Sequence, residues 1–159
     1  MSGPAAVAPA PLAIDAAQQE VLSLEAGTLA GSLRDPEARG RYDELRQAIE
    51  AGAVPAELTD LLESLLEMLL QTGRARRMHG AQSEIALLRL FQQTPRGAAA
   101  RRATESVNEA LRTLKGQTLE NLLFTVQGPG VYRLGLQTDR CRLTLEIDRH
   151  GLSVESLEV

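Results

Sequence analysis

Aromatic side chains are scarce in this chain of 159 residues, which contains no tryptophan. Its aromatic residues are Tyr42, Phe91, Phe124 and Tyr132. Few flat rings are therefore available to stack on nucleic-acid bases, sugars or flavins, and this counts against those classes of ligand. The apolar residues are mostly leucine and alanine, which are good helix formers and suit a core of packed helices.

Cysteine is nearly absent as well, because Cys141 is the only one in the sequence. A single thiol cannot form an intramolecular disulfide, which excludes the class of small secreted proteins that disulfides stabilise. Cys141 falls on the apolar side of an alternating segment. We therefore predict a buried, unreactive thiol in a strand.

Long apolar runs are also missing. The most apolar segment, residues 58–70, includes three acidic side chains and is shorter than the roughly 20 residues that a membrane-spanning helix needs. Residues 1–12 contain no basic side chain, whereas a signal peptide begins with a positively charged segment. We therefore expect a cytoplasmic protein that has no membrane partner.

Motifs for catalysis, cofactors and metals do not occur. The sequence lacks the dinucleotide-binding pattern G-x-G-x-x-G, the P-loop and the G-x-S-x-G nucleophile motif. Its two histidines, His79 and His150, are far apart, and His79 lies among arginines that disfavour a metal cation beside it. We assign no catalytic, cofactor-binding or metal-binding residue, and we expect a protein without enzymatic activity.

What is present is helical periodicity, which predicts that residues 14–116 are helical and follow an Ala/Pro-rich flexible arm at residues 1–13. We predict five amphipathic helices. The first covers about residues 15–33, and the second starts at Pro36 and ends before Gly52. The other three cover about residues 56–71, 81–93 and 97–115. Asp35 and Pro36 are typical of a helix start. The state of residues 73–80 stays open, because glycines bracket an arginine-rich segment there.

The apolar period changes from 3.6 to 2 after residue 116. Leu122, Phe124 and Val126 alternate with polar or opposite-facing residues, and Gly128-Pro129-Gly130 then supplies a tight turn. Three further alternating segments follow. Residues 117–159 are therefore predicted to form a four-stranded antiparallel β-meander with one apolar face packed on the helices, which gives an α+β fold.

The third helix suggests an interface because leucine covers most of its circumference. A polar strip that includes Asp60, Glu63 and Glu67 is predicted to be solvated. A helix that is this apolar must be covered on several sides. Our hypothesis is a non-enzymatic protein-interaction or assembly module that forms a homo-oligomer, most simply a dimer, or binds a protein partner. The interface residues are then Leu62, Leu66, Met68 and Leu70. The alternative is that all four belong to the core of the monomer.

Charge is distributed unevenly along the chain, whose net charge is −4. Residues 15–72 are strongly acidic, and residues 74–102 contain seven arginines against the single acid Glu84. A second hypothesis is a nucleic-acid-associated regulator whose phosphate contacts are Arg74, Arg76, Arg77, Arg101 and Arg102. The alternative for these arginines is that they neutralise the acidic first half, within one chain or between copies.

Overall fold

The computed structural model describes residues 10–159 and divides them into two compact units, which meet in sequence between Arg96 and Gly97. We call the first the helical unit and the second the sheet unit. Residues 1–9 of the predicted arm lie outside the described residues. The predicted helical region, residues 14–116, extends over parts of both units.

The helical unit contains five helices and a minimal two-stranded ladder. The helices are α1 (Ala16–Ser32), α2 (Pro36–Glu50), α3 (Ala56–Gln71), α4 (Arg74–His79) and α5 (Ala81–Gln93). The ladder pairs β1 (Leu12–Ala13) with β2 (Ala53–Val54) in antiparallel orientation. A sixth helix, α6 (Pro95–Thr113), begins with the last two residues of this unit and continues in the sheet unit.

Side-chain caps define the starts of the first two helices. The carboxylate of Asp15 accepts a hydrogen bond from the backbone N–H of Gln18, and the side chain of Gln18 accepts one from the N–H of Asp15. Asp35 accepts two backbone hydrogen bonds from the first turn of α2, in which Pro36 is the first helical residue. Such caps satisfy N–H groups that have no partner within the helix.

Helix α3 lies at the centre of the helical unit. Its buried leucines are Leu58, Leu62, Leu65, Leu66 and Leu69, and they share one apolar cluster with residues of α1, α2 and α5. Burying each leucine contributes roughly 1.5–3 kcal/mol. The predicted bounds of this helix and the shielding of its leucines from water are both confirmed.

The segment whose state the sequence left open is a short helix between two glycines. Gly73 (φ 66°) precedes α4 and Gly80 (φ 88°) follows it. Positive φ values are strained for residues with a Cβ but not for glycine. The two glycines therefore allow the chain to turn between α3 and α4 and again between α4 and α5.

The sheet unit has four antiparallel strands in sequential order. They are β3 (Leu119–Gly128), β4 (Val131–Thr138), β5 (Arg142–Asp148) and β6 (Gly151–Glu158). This arrangement confirms the predicted β-meander and the α+β fold. Val107 and Ala110 of α6 pack on Leu143 and Leu145 of β5, and these four residues form the second core.

Two local features differ from the sequence prediction. Residues 12 and 13 were predicted as part of the arm, but they pair with β2, and the N–H of Ile14 donates to the carbonyl of Gly52. Helix α6 starts two residues before the predicted position, because Pro95 occupies its first turn rather than the end of a connecting loop. Proline fits there because it has no N–H to leave unpaired.

Candidate functional site

One face of the sheet is apolar along its whole width. The strand register aligns its side chains in rows that run across β3, β4, β5 and β6. These rows are Leu122–Leu136–Leu143–Leu157, Phe124–Leu134–Leu145–Val154 and Val126–Tyr132–Ile147–Leu152. The alternation that the sequence predicted for the strands therefore produces a continuous apolar surface.

Helix α6 covers the middle of this face but not its β3 side. Leu143 and Leu145 are buried, whereas Leu122 is 57% exposed, Phe124 56% and Val126 69%. We call these three residues, together with the exposed Tyr132 of β4, the β3 strip. The rings of Phe124 and Tyr132 stack with centroids 5.6 Å apart and planes inclined by 12°. The strip is therefore an ordered apolar surface that borders a sheet edge.

The sequence identifies these residues as apolar and predicts that helices cover them. The exposure of β3 could have been anticipated by comparing the width of a four-stranded sheet with the diameter of one helix. Four strands about 4.8 Å apart span roughly 14 Å between the outer strand axes, and side chains at the edges add to this. A helix is only about 10–12 Å across. Within the sheet unit one helix lies over the apolar face, so an outer strand is left uncovered.

The leucines that the sequence put forward as an interface lie in the core of the helical unit. Leu62 and Leu66 are completely buried, and Met68 and Leu70 are partly buried against the same cluster. A completely buried side chain has no surface to offer a partner while the unit is folded. Leu62 and Leu66 therefore belong to the core of the monomer, which was the alternative to an interface. The side chains of α1, α2 and α5 supply the cover that α3 requires.

The arginines of the nucleic-acid hypothesis lie on two helices. Arg74, Arg76 and Arg77 belong to α4 in the helical unit, and Arg101 and Arg102 belong to the part of α6 in the sheet unit. The structure groups the first three on one short helix and places the last two next to each other.

Several of these guanidinium groups already have acceptors. Arg74 contacts the buried Glu25 at 2.8 Å, Arg76 lies 3.6 Å from Glu84, and Arg77 donates to a backbone carbonyl at the end of α3. The contact between Arg74 and Glu25 matches the alternative in which arginines neutralise the acidic first half. Nucleic-acid binding stays a prediction.

Glu25 is a buried carboxylate that two basic side chains hold. Arg74 Nε lies 2.8 Å from one oxygen, and His79 Nε2 lies 2.7 Å from the other. Burial raises the pKa of Glu25, but the hydrogen bonds and charges of Arg74 and His79 outweigh it and bring the pKa below its ordinary value. His79 therefore contacts a carboxylate from α1, although its sequence neighbours are arginines.

Glu63 corrects the prediction of a solvated polar strip on α3, because only 1% of its side chain is exposed. One carboxylate oxygen accepts the backbone N–H of Arg96 at 2.7 Å, and the other lies 3.0 Å from Arg96 Nε. Glu67, which is partly exposed, contacts Arg96 Nη1 at 3.1 Å. Glu63 therefore caps the start of α6 from a different helix, a role that helical periodicity does not reveal.

Cys141 is buried, as predicted, but it lies in the connection before β5 rather than in a strand, because β5 begins at Arg142. Its thiol donates to the side-chain oxygen of Gln117 at 3.3 Å, and its backbone N–H donates to the hydroxyl of Thr138 at 2.9 Å. Neither a histidine nor a cationic side chain is among these partners. This small polar cluster ties the end of β4 to the start of β5 and offers no activated nucleophile.

Residues 10–159 contain neither a candidate metal site nor a candidate membrane-spanning helix. No three side chains of the His, Cys, Asp and Glu types come together there in a group that could hold a metal ion. None of the described helices combines the length and the apolar character that crossing a membrane requires.

Comparison with known proteins gives no relative for this chain. No family model, no curated protein and no solved structure matches it. The candidate site therefore depends on the chain's own residues, and the β3 strip is an exposed apolar feature that they form in the sheet unit.

Proposed function

We propose that this chain is a protein-interaction module without enzymatic activity, which self-associates as a dimer and acts as an adaptor or assembly component in the cytoplasm. The observation that carries the proposal is the exposure of the β3 strip. Leu122, Phe124 and Val126 alternate on an ordered strand and are each more than half exposed.

The size of the strip favours an interaction surface over chance exposure. Single exposed apolar residues are common and need no explanation, but a contiguous group is different. These three side chains of β3, together with Tyr132 at 36% exposure, present roughly 300–500 Å² of apolar surface, the size at which the largest patch on a monomer is often functional. Removing such area from water contributes about 25 cal/mol per Å².

The chain also lacks the groups that other functions would need at this surface. Within the part that the structure describes, the strip contains no titratable pair, cation cluster or polar pocket. A surface of leucine, valine and two stacked rings makes contacts by shape and desolvation. These contacts support protein binding rather than chemistry.

Sedimentation velocity over a concentration series of about 1–100 μM tests the proposal in the range of micromolar dissociation constants. We expect the wild-type chain to shift from monomer to dimer across this series. The double variant Leu122→Thr, Phe124→Thr should weaken the association about tenfold or more, because it removes apolar area and keeps residues that favour strands.

The matched control is Leu152→Thr, because Leu152 is 36% exposed on the same sheet face but lies on β6, at the other edge of the sheet. This variant should associate more tightly than the double variant does. A wild-type chain that stays monomeric throughout the series would contradict self-association. Equal weakening by Leu152→Thr and the double variant would contradict the assignment to the β3 strip.

A further inference from the structure

We infer that two copies associate through the backbone edge of β3, in antiparallel register, so that their sheets join into one sheet of eight strands. The inference rests on the proposed self-association and adds its geometry. In this dimer, β3 of the second copy occupies the free backbone edge of β3, beside the β3 strip.

The two outer strands of the sheet differ in how their edges are protected. Strand β6 carries Glu155 and Glu158, and its register with β5 shifts between Ser156 and Val154, which makes Glu155 the extra residue of a bulge. Charges and bulges are the devices with which proteins block unwanted strand pairing. The β6 edge is therefore unsuited to another strand.

Strand β3 lacks these devices along its middle. Its pairing with β4 is regular from Asn121 to Val126, and the irregularities lie on either side of that run. The run contains no charged residue, no proline and no glycine. A regular, uncharged and apolar edge is the kind that pairs with another strand, because half of its backbone N–H and C=O groups point away from the sheet.

Three combinations of edges are possible between two copies, and charge and closure together favour the pairing of β3 with β3. Two β6 edges would bring Glu158 of one copy near the carboxylates of the other, whereas Glu155 is paired with Arg133 of its own chain. A β3 edge on a β6 edge would be a head-to-tail contact, which leaves a free edge at each end and continues into a ring or a filament rather than a dimer. Two β3 edges bring no like charges together along the regular run, because that run is uncharged, and they form a closed dimer with a twofold axis.

The register follows from matching apolar residues on one face. Antiparallel pairing centred on Phe124 places Phe124 opposite its equivalent and Leu122 opposite Val126 of the second copy. The β3 strips then lie side by side, and each covers the flank of the other that faces away from β4. Opposite side chains in such pairs lie about 4.5–5.5 Å apart at Cβ.

The size of this contact predicts a weak dimer. Pairing over about six residues buries the outward flanks of the two strips and of Leu123 on the other face, which is less than about 1,200 Å² in total. Interfaces of that size are typical of transient complexes. We therefore expect a dissociation constant in the micromolar range.

Thr125 gives a test that separates edge pairing from stacking of the apolar faces. Thr125 points to the face opposite the β3 strip, and in the proposed register it lies diagonally across from its equivalent, about 7–8 Å away. Thr125→Lys should therefore weaken dimerisation about tenfold, because lysine on an edge opposes strand pairing. Thr125→Glu should have the same effect with the opposite charge.

The mixture of the two variants is the decisive measurement. An equimolar mixture of Thr125→Lys and Thr125→Glu should dimerise more tightly than either variant alone, because the two side chains then attract each other across the twofold axis. This result also shows that both variants fold. The matched control is Ser153→Lys, because Ser153 lies in the same cross-strand row as Thr125 at the β6 edge. It should leave dimerisation within about twofold of wild type.

Hydrogen exchange of the β3 amides provides a second readout. Alternate amides of the regular run should become protected as the concentration rises, with a period of two residues. One result would overturn the edge geometry and leave the proposed function in place. The Thr125→Lys variant would dimerise as tightly as the wild type, while the Leu122→Thr, Phe124→Thr variant would lose the dimer. Protection of the amides that point away from β4, in a sample that sedimentation shows to be monomeric, would mean an occupant from the same chain and would also overturn the edge geometry.

Discussion

At the scale of single residues, the helical unit depends on two buried carboxylates whose basic partners come from distant parts of the sequence. Glu25 of α1 contacts Arg74 and His79, and Glu63 of α3 contacts Arg96. Because the carboxylates lie among leucines, they would be costly to bury without these partners. The separation of acidic and basic residues along the sequence is thus resolved, at these positions, within one copy of the chain.

Glu63 and Glu67 offer a comparison in which two carboxylates share Arg96 but differ in burial. We expect Glu63→Gln to lower the free energy of unfolding by about 1–3 kcal/mol, because it weakens charge-assisted hydrogen bonds to the backbone and side chain of Arg96. Glu67→Gln should cost less than about 1 kcal/mol, since its ion pair is open to solvent. Urea denaturation followed by circular dichroism at 222 nm measures both, and equal losses would contradict a capping role for Glu63.

At the scale of secondary-structure elements, the covering helix α6 distinguishes two leucines of the same sheet face. Leu145 is buried under Val107 and Ala110, whereas Leu152 of β6 is more than one third exposed. We expect Leu145→Ala to lower the free energy of unfolding of the sheet unit by about 2–5 kcal/mol. Leu152→Ala should lower it by less than about 1.5 kcal/mol, because less apolar area is lost from the core.

Tyrosine fluorescence in a Tyr42→Phe background can follow this unfolding, because Tyr132 of β4 is then the remaining tyrosine. Both leucine variants carry the same background substitution, so their difference reports the sheet unit. Losses of equal size would mean that α6 does not stabilise the sheet face more at β5 than at β6.

The elements that the sequence predicted well are those that local signals define. Asp35 and Pro36 mark the start of α2, and α3 has the bounds that its leucine pattern indicates. Strand alternation likewise revealed the apolar face of the sheet. The β1–β2 ladder was missed because two residues carry no period, and it depends on contacts between segments that are 40 residues apart.

The candidate site was predictable only in part, for a related reason. The apolar character of Leu122, Phe124 and Val126 is a property of the sequence, but their exposure depends on how wide the sheet is relative to α6. Likewise, Glu63 has the spacing of a solvated residue, and its burial depends on where α6 begins. Accessible surface is a tertiary property, which periodicity along one element does not contain.

At the scale of the whole molecule, net charge and the proposed interface act in opposite directions. Each copy carries a net charge of −4, so two copies repel each other weakly. The regular run of β3 is uncharged, and the buried partners of Arg74 and Arg96 lie in the same chain as these arginines. Dimerisation should therefore not depend on attraction between the acidic and basic segments of different copies.

Salt dependence tests this account against its alternatives. Raising the salt concentration from about 0.1 M to about 1 M shortens the Debye length from about 10 Å to about 3 Å. For pairing through β3 we expect the dimer dissociation constant to stay the same or to fall by up to about threefold, because repulsion is screened and apolar contacts are not. Sedimentation velocity at both concentrations measures it. Weakening of more than about tenfold would instead indicate that acidic and basic segments pair between copies, because only contacts between opposite charges lose that much to screening.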